Sequence, residues 1–462
     1  MSSHPRRWFM YSLSGLFIFL CLAIILAAIL LLRRGKLPRA GLIAGSSMEP
    51  ILRGPRFLWT CPHCSQSQEF ALDTCKSNQP FRCRSCNIID MASAIDFDDS
   101  DSLFDRVRPG DQVLFATLRS VRTTRSRDIA LELARPSGLR RGDIVVFQES
   151  LDSKREIKRV VGFASELIAI ESGDLFVDQE RWCKTMEQSL RQSILLNAWD
   201  RTSPDNDKEQ SIDSKGRWVL GAETFNGILS STSVRADTPD TPEIPRKLLF
   251  DRHLDGAINN KLGVNAHDSH VVFSVPDFGF AFQLSLPENA WRIECALRSP
   301  ISRPKIAIEL VGRSVTIESG DHVAYAELYQ REDKSVWIAI AMVDGHLIAG
   351  SPEQEWLRMV LPAMDADSAK DVDEAKPPIE ITAVSGSLAI DQMLVFRDIH
   401  YRGAGDSETQ SWEPGDRIVV LGDNVSASSD SRDRWPDGLP TNSARGVLIQ
   451  TGSPIEVLLR QR

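Results

Sequence analysis

Two constellations in this 462-residue sequence could do chemistry. The first starts from a serine pair, Ser46 and Ser47, in the stretch GLIAGSSMEP. A serine hydroxyl is a poor nucleophile until a base removes its proton. Lys158, at the head of the apolar segment IKRVVG, can be that base only if burial disfavours its charge enough to leave it neutral. A lysine on a half-buried strand ordinarily snorkels to water instead. Further along, the serine-rich stretch GDNVSASSDSR spans residues 422–432. Ser47, Lys158 and this loop suffice chemically for a Ser-Lys acyl-transfer site, and only the fold decides whether they meet. The second constellation is Cys61, Cys64, Cys83 and Cys86, spaced C-x2-C, eighteen residues, C-x2-C. Two thiolate pairs on two turns can share one tetrahedral ion, so the spacing is that of a zinc ribbon with a structural zinc. Two disulfides outside the cytosol, or a ribbon that keeps its shape without metal, are the alternatives. Cys75, between the pairs, reads as a bystander.

The elements that must carry these residues are mostly strands. Residues 8–32 carry no charge and are long enough to cross a bilayer as one helix, retained as an anchor rather than cleaved. Arg6 and Arg7 precede this run, and Arg33, Arg34, Lys36 and Arg39 follow it, so flanking charge does not fix its orientation. RVRPGDQVLFATL, at 106–118, and GLRRGDIVVFQES, at 138–150, each put a Gly-Asp turn before an apolar run, as a turn feeding a strand does. WEPGDRIVVLGDN repeats the phrase after residue 411. Between them, from Trp218 onward, short alternating segments such as FAFQLSL, WRIECALR and KIAIELV predict a β-sandwich. The polar residues before it read as a linker over 184–217, and DADSAKDVDEAKPP inside it as a solvent loop.

The expected architecture is therefore mainly β, with one N-terminal transmembrane helix. It has a tail at 1–7, the span at 8–32, catalytic segments at 41–60, 103–183 and 411–462, a ribbon insertion at 61–90 and a sandwich insertion at 218–402. A net charge of −9 without a basic cluster argues against nucleic acid as a partner.

Ser47-Met48-x-Pro50 behind an anchor, GDQVLF, RRGDIVVF, Lys158-Arg159-Val160-Val161-Gly162, and Gly422-Asp423-Asn424 followed by Ser428, Asp430, Ser431 and Arg432 resemble bacterial type I signal peptidase. These motifs cover about a third of the chain. The resemblance implies a signal-peptidase-like β catalytic domain with Ser47 as nucleophile and Lys158 as general base. It further implies that Ser428 orients the lysine, that Asp430 and Arg432 form an ion pair holding the loop, and that Met48 and Pro50 shape a membrane-facing turn. Preproteins bearing signal peptides and the lipid bilayer are the implied partners, with the catalytic domain on the extracytoplasmic side of a bacterial inner membrane. Departures are visible. Val425, Ser426 and Ala427 replace polar or charged family positions, GFASE stands where GLPGD is common, and Gly45 stands where some relatives offer a hydroxyl to the oxyanion. The oxyanion hole would then rely on backbone N–H, including that of Ser47. HVAYAELYQREDKSVWIAIAMVDGHLIAG and GSLAIDQMLVFRDIHYR resemble concanavalin-like or laminin-G-like jelly rolls, which implies a glycan or protein ligand for the sandwich. Two other readings stand beside the peptidase: a degenerate homologue that only binds through its sandwich, and a zinc-ribbon scaffold with relic motifs.

Overall fold

The Gly-Asp phrases behave as turns that launch strands, and the strands they launch are gathered from three distant parts of the chain. In the computed structural model a seven-stranded antiparallel sheet runs in the order Arg39–Leu42, Gln112–Thr117, Ala444–Leu448, Ile144–Phe147, Glu156–Gly162, Arg417–Leu421, Leu439–Pro440. Described are residues 19–26, 38–74 (except 64 and 66), 81–82, 89–90, 107–118, 139–201 (except 151), 217–220, 223–224, 228–230, 247–251, 275–285, 290–327 (except 300, 301, 312 and 313), 335–361, 377–450 (except 386, 426 and 427) and 452–461.

Gly142 makes one launching turn at φ 89°, a left-handed conformation that costs glycine nothing. Ile144–Phe147 is then buried along its whole length. Glu156–Gly162 is buried from Lys158 onward, and Gly162 lets it approach Ile168, since a Cβ there would stand 2.3 Å from the isoleucine Cγ1.

Two larger sheets form the sandwich. One orders Ile194–Asp200, Ser387–Arg397, Phe278–Ser285, Ser335–Val343, His346–Gly350 and Glu355–Val360, with Ile228–Ser230 also on Ser387–Arg397. The other has eight strands, among them Lys247–Asp251, Ile379–Ser385, Trp291–Leu297, Lys305–Val311, Ser314–Ser319 and the edge strand His322–Glu327. Alternating residues point inward, as period-two strands require: Trp291, Ile293, Cys295 and Leu297 share one apolar cluster with Phe278, Phe280 and Phe282 of the facing sheet.

The expected linker at 184–217 is corrected over 185–200, while residues 202–216 lie outside the described residues. Thr185 and Gln188 close a capping box on the helix Met186–Gln192, and Ile194–Asp200 follows as a sandwich strand. Its polar residues misled because Leu195, Ala198 and the helix pack on the sheet's outer face, beneath the Pro454–Leu459 helix, rather than inside the sandwich. Ile194 pairs directly with Arg397, so the chain enters and leaves the sandwich at adjacent positions.

Residues 19–26 are helical, with Phe19, Leu20, Leu22, Ile24, Ile25 and Leu26 all more than half exposed. The rest of the expected 8–32 span lies outside the described residues. Among the described residues no helix is long and apolar enough to cross a membrane.

Candidate active site

Lys158 opens the buried part of its strand, opposite Val145. Its side chain does not snorkel: the residue is 2% exposed, and its ammonium donates to Ser428 Oγ at 2.7 Å. Burial is the first cause that lowers its pKa, to about 8, against the opposing pull of Asp430 and Glu156.

Ser428 hangs from the loop that follows Arg417–Leu421, and an ion pair ties that loop shut. Arg432 clasps Asp430 through Nε at 2.8 Å and Nη2 at 2.7 Å, and also reaches the carbonyls of Val425 at 2.6 Å and Ser428 at 3.3 Å. Asp430 also accepts the backbone N–H of Gly422 at 2.8 Å and that of Arg432 at 3.1 Å. Burial alone would raise the Asp430 pKa, but the hydrogen bonds and charge of Arg432 outweigh it and hold the carboxyl below its ordinary value. Of the three substituted loop positions, Val425 packs its side chain on the core, while Ser426 and Ala427 lie outside the described residues.

The same loop meets the serine pair. The Asn424 N–H donates to the Ser47 carbonyl at 3.1 Å, and its side-chain amide to the Ser46 carbonyl at 3.1 Å. A Cβ on Gly422 would stand 2.0 Å from Ser428 Oγ and 2.6 Å from the Ser47 carbonyl oxygen, so glycine lets the lysine's partner and the serine backbone converge there. Ser47 itself is half-buried, and among the described residues its hydroxyl makes no hydrogen bond. Met48, fully buried, and Pro50, also buried, shape the turn behind the serine pair from inside the core. Gly45 passes Gly54 closely, since a Cβ on Gly54 would lie 2.8 Å from the Gly45 carbonyl oxygen.

Two partners escaped the sequence reading. Asp73 Oδ2 accepts both the N–H and the hydroxyl of Ser46 at 2.9 Å. Arg159, next to the lysine, forms a buried fork on Asp423 at 2.7 and 2.6 Å and donates to the Gly142 carbonyl at 2.6 Å. The charges of Arg159 and Asp423 were signals for that pair, though nothing in the spacing said that they face each other.

Of the cysteine cluster, Cys61 is buried at the turn between Arg56–Thr60 and Ser67–Ala71, and its carbonyl accepts from the Ser65 N–H at 2.9 Å. Cys64, Cys83 and Cys86 lie outside the described residues.

A second buried charge centre sits where the sandwich joins the host. The Lys184 ammonium donates to Asp344 at 2.7 Å and to Asp398 at 2.8 Å. Asp174, Asp277 and Asp344 each bring a carboxylate oxygen within 4.8 Å of the others. Burial would lower the Lys184 pKa, yet its two carboxylates raise it well above the ordinary value. The lysine pairs with one member of this cluster, Asp344, while burial and the neighbouring carboxylates raise the pKa values of Asp174, to about 6, and of Asp277.

Residues 16–226 match the family model described as signal peptidase, peptidase S26. No curated protein matches the chain. Among solved structures, a β-1,3-1,4-glucanase (lichenase) from a mouse hindgut metagenome is 10% identical with a TM-score of 0.25, covering 43% of this chain and 97% of its own. A Bacillus licheniformis β-glucanase is 9% identical at a TM-score of 0.21, covering 38% of this chain and 91% of its own. Scores this low carry no argument about the sandwich.

Proposed function

We propose that this protein is a membrane-bound serine endopeptidase that removes signal peptides from exported preproteins by a Ser47–Lys158 acyl-enzyme mechanism. The observation that carries the reading is Lys158: a buried ammonium with a lowered pKa that among the described residues bonds to no carboxylate but to the Ser428 hydroxyl, on a loop that also holds the Ser47 backbone.

In the first step neutral Lys158 takes the Ser47 hydroxyl proton as Oγ bonds to the scissile carbonyl carbon. The Ser47 N–H stabilises the oxyanion that develops. Collapse of the tetrahedral species breaks the C–N bond, and the Lys158 ammonium returns the proton to the departing amine. Water then repeats the sequence on the acyl-enzyme. Ser428 holds the amine in line, while Asp430 and Arg432 keep its loop in one conformation. An extended substrate beside the Ser47 segment would need small side chains at −1 and −3 of the cut, and a substrate with Phe at −1 tests this.

Residues 8–32 serve in this reading as the anchor, with the catalytic domain on the extracytoplasmic side. Leu42 and Leu114, 58% and 44% exposed, lie on one face of the paired strands Arg39–Leu42 and Gln112–Thr117, where they suit a bilayer surface close to Ser47. External protease on spheroplasts should then degrade the domain beyond residue 40, and protection until lysis would reverse the orientation.

Cys61, Cys64, Cys83 and Cys86 would hold a structural zinc. The buried Cys61 at a tight hairpin turn fits one half of such a site, and four thiolates leave no position for a catalytic water. Metal analysis after purification without reductant should return one zinc per chain.

The deciding experiment is cleavage of a preprotein by the purified full-length protein and by Ser47→Ala. Specific cleavage by the first and none by the second is expected; equal activity in both ends the reading.

A further inference from the structure

The hairpin that leads into the cysteine segment reaches the site through Asp73. Arg56–Thr60 and Ser67–Ala71 pair in register, the chain turns through Leu72–Thr74, and the Leu72 N–H donates to the Pro55 carbonyl at 2.8 Å. This brings Asp73 against the serine pair: its Oδ2 takes both donors of Ser46 at 2.9 Å and lies 3.5 Å from where a Gly45 Cβ would be.

Ser46 is consequently fixed on both sides. Asp73 holds its N–H, which belongs to the peptide plane shared with Gly45, and Asn424 holds its carbonyl at 3.1 Å. A trans peptide is planar, with its carbonyl and the following N–H on opposite edges. Fixing the two planes that flank Ser46 therefore fixes the direction of the Ser47 N–H. From this geometry we infer that Asp73 is a positioning residue: its carboxylate aims the Ser47 N–H at the oxyanion. The inference rests on the peptidase reading proposed above.

An N–H aimed at a developing oxyanion acts on the transition state more than on bound substrate. Asp73→Ala should lower kcat about tenfold and leave KM within about twofold, the size expected for losing two hydrogen bonds to a carboxylate that also faces water. Asp73→Asn keeps an acceptor oxygen and should recover kcat to within about threefold. Amide exchange across residues 43–50 should quicken in Asp73→Ala and not in Asp73→Asn. Wild-type kcat in Asp73→Ala, a rise in KM alone, an Asn variant as impaired as Ala, or unchanged exchange each overturns the inference. If the wild-type protein cleaves and Ser47→Ala does not, those results sink the role of Asp73 and leave the peptidase standing. A wild-type protein that cleaves no preprotein removes both.

Discussion

Lys158 and Lys184 are both buried, at 2% and 5% exposure, and the pKa values of their ammonium groups move in opposite directions. Lys158 meets one hydroxyl, and burial brings its pKa down to about 8. Lys184 meets two carboxylates, which raise its pKa well above the usual value. Burial alone therefore does not make a base. What brings an ammonium towards use as a base is burial without a direct ion pair, which raises the cost of the charged form relative to the neutral one. Two acids whose charges act on Lys158 are each paired with an arginine instead: Asp430 with Arg432 and Asp423 with Arg159. The junction with the sandwich spends its lysine on holding two domains together.

The largest effect expected from this contrast is on turnover. Lys158→Arg keeps a permanent positive charge that cannot accept the serine proton, and cleavage should fall by at least about a thousandfold in a preprotein assay. Retained activity would make Lys158 a structural lysine like Lys184.

Next in size are two stability changes of opposite sign. Lys184→Met leaves Asp344 and Asp398 buried without their cation and should cost about 3–5 kcal/mol in denaturant unfolding. Lys158→Met removes a group held below its ordinary pKa of 10.5, at about 8, so it should stabilise the inactive protein at pH 7 by up to about 3 kcal/mol. The sign follows because between pH 8 and 10.5 the unfolded chain binds the proton and the folded one does not. The wild-type protein should accordingly gain stability as pH rises through that window. Two destabilised variants would erase the distinction between the lysines.

The smallest effect is the pH profile. With a base titrating at about 8, kcat/KM should rise about tenfold between pH 7 and pH 9 and then level off. A profile flat across that range would assign the proton transfer to another group.

Much of the host sheet was legible because its signals are local. The Gly-Asp turns at Gly142 and Gly415 have positive φ, and the runs behind them are the buried strands Ile144–Phe147 and Arg417–Leu421. Alternation likewise foretold the inward face of Trp291–Leu297. The segment around Met186–Gln192 was misread because the amphipathic helix is short and its partner is the Pro454–Leu459 helix, far along the chain. Asp73 was invisible for a related reason. It lies among cysteines whose spacing drew the reading towards metal, and no periodicity relates it to Ser46, 27 residues earlier.

By itself the sequence determined the kinds of group available: a charge-free apolar run, a four-cysteine spacing, a serine pair, and a lysine heading an apolar strand. These follow from residue type and from periods of a few residues. The tertiary structure alone decided which lysine loses its charge readily and which keeps it. A pKa depends on the water and partners around a group in space, and those come from segments remote in the chain: Ser428 reaches Lys158 across 270 residues, and Asp398 reaches Lys184 across 214.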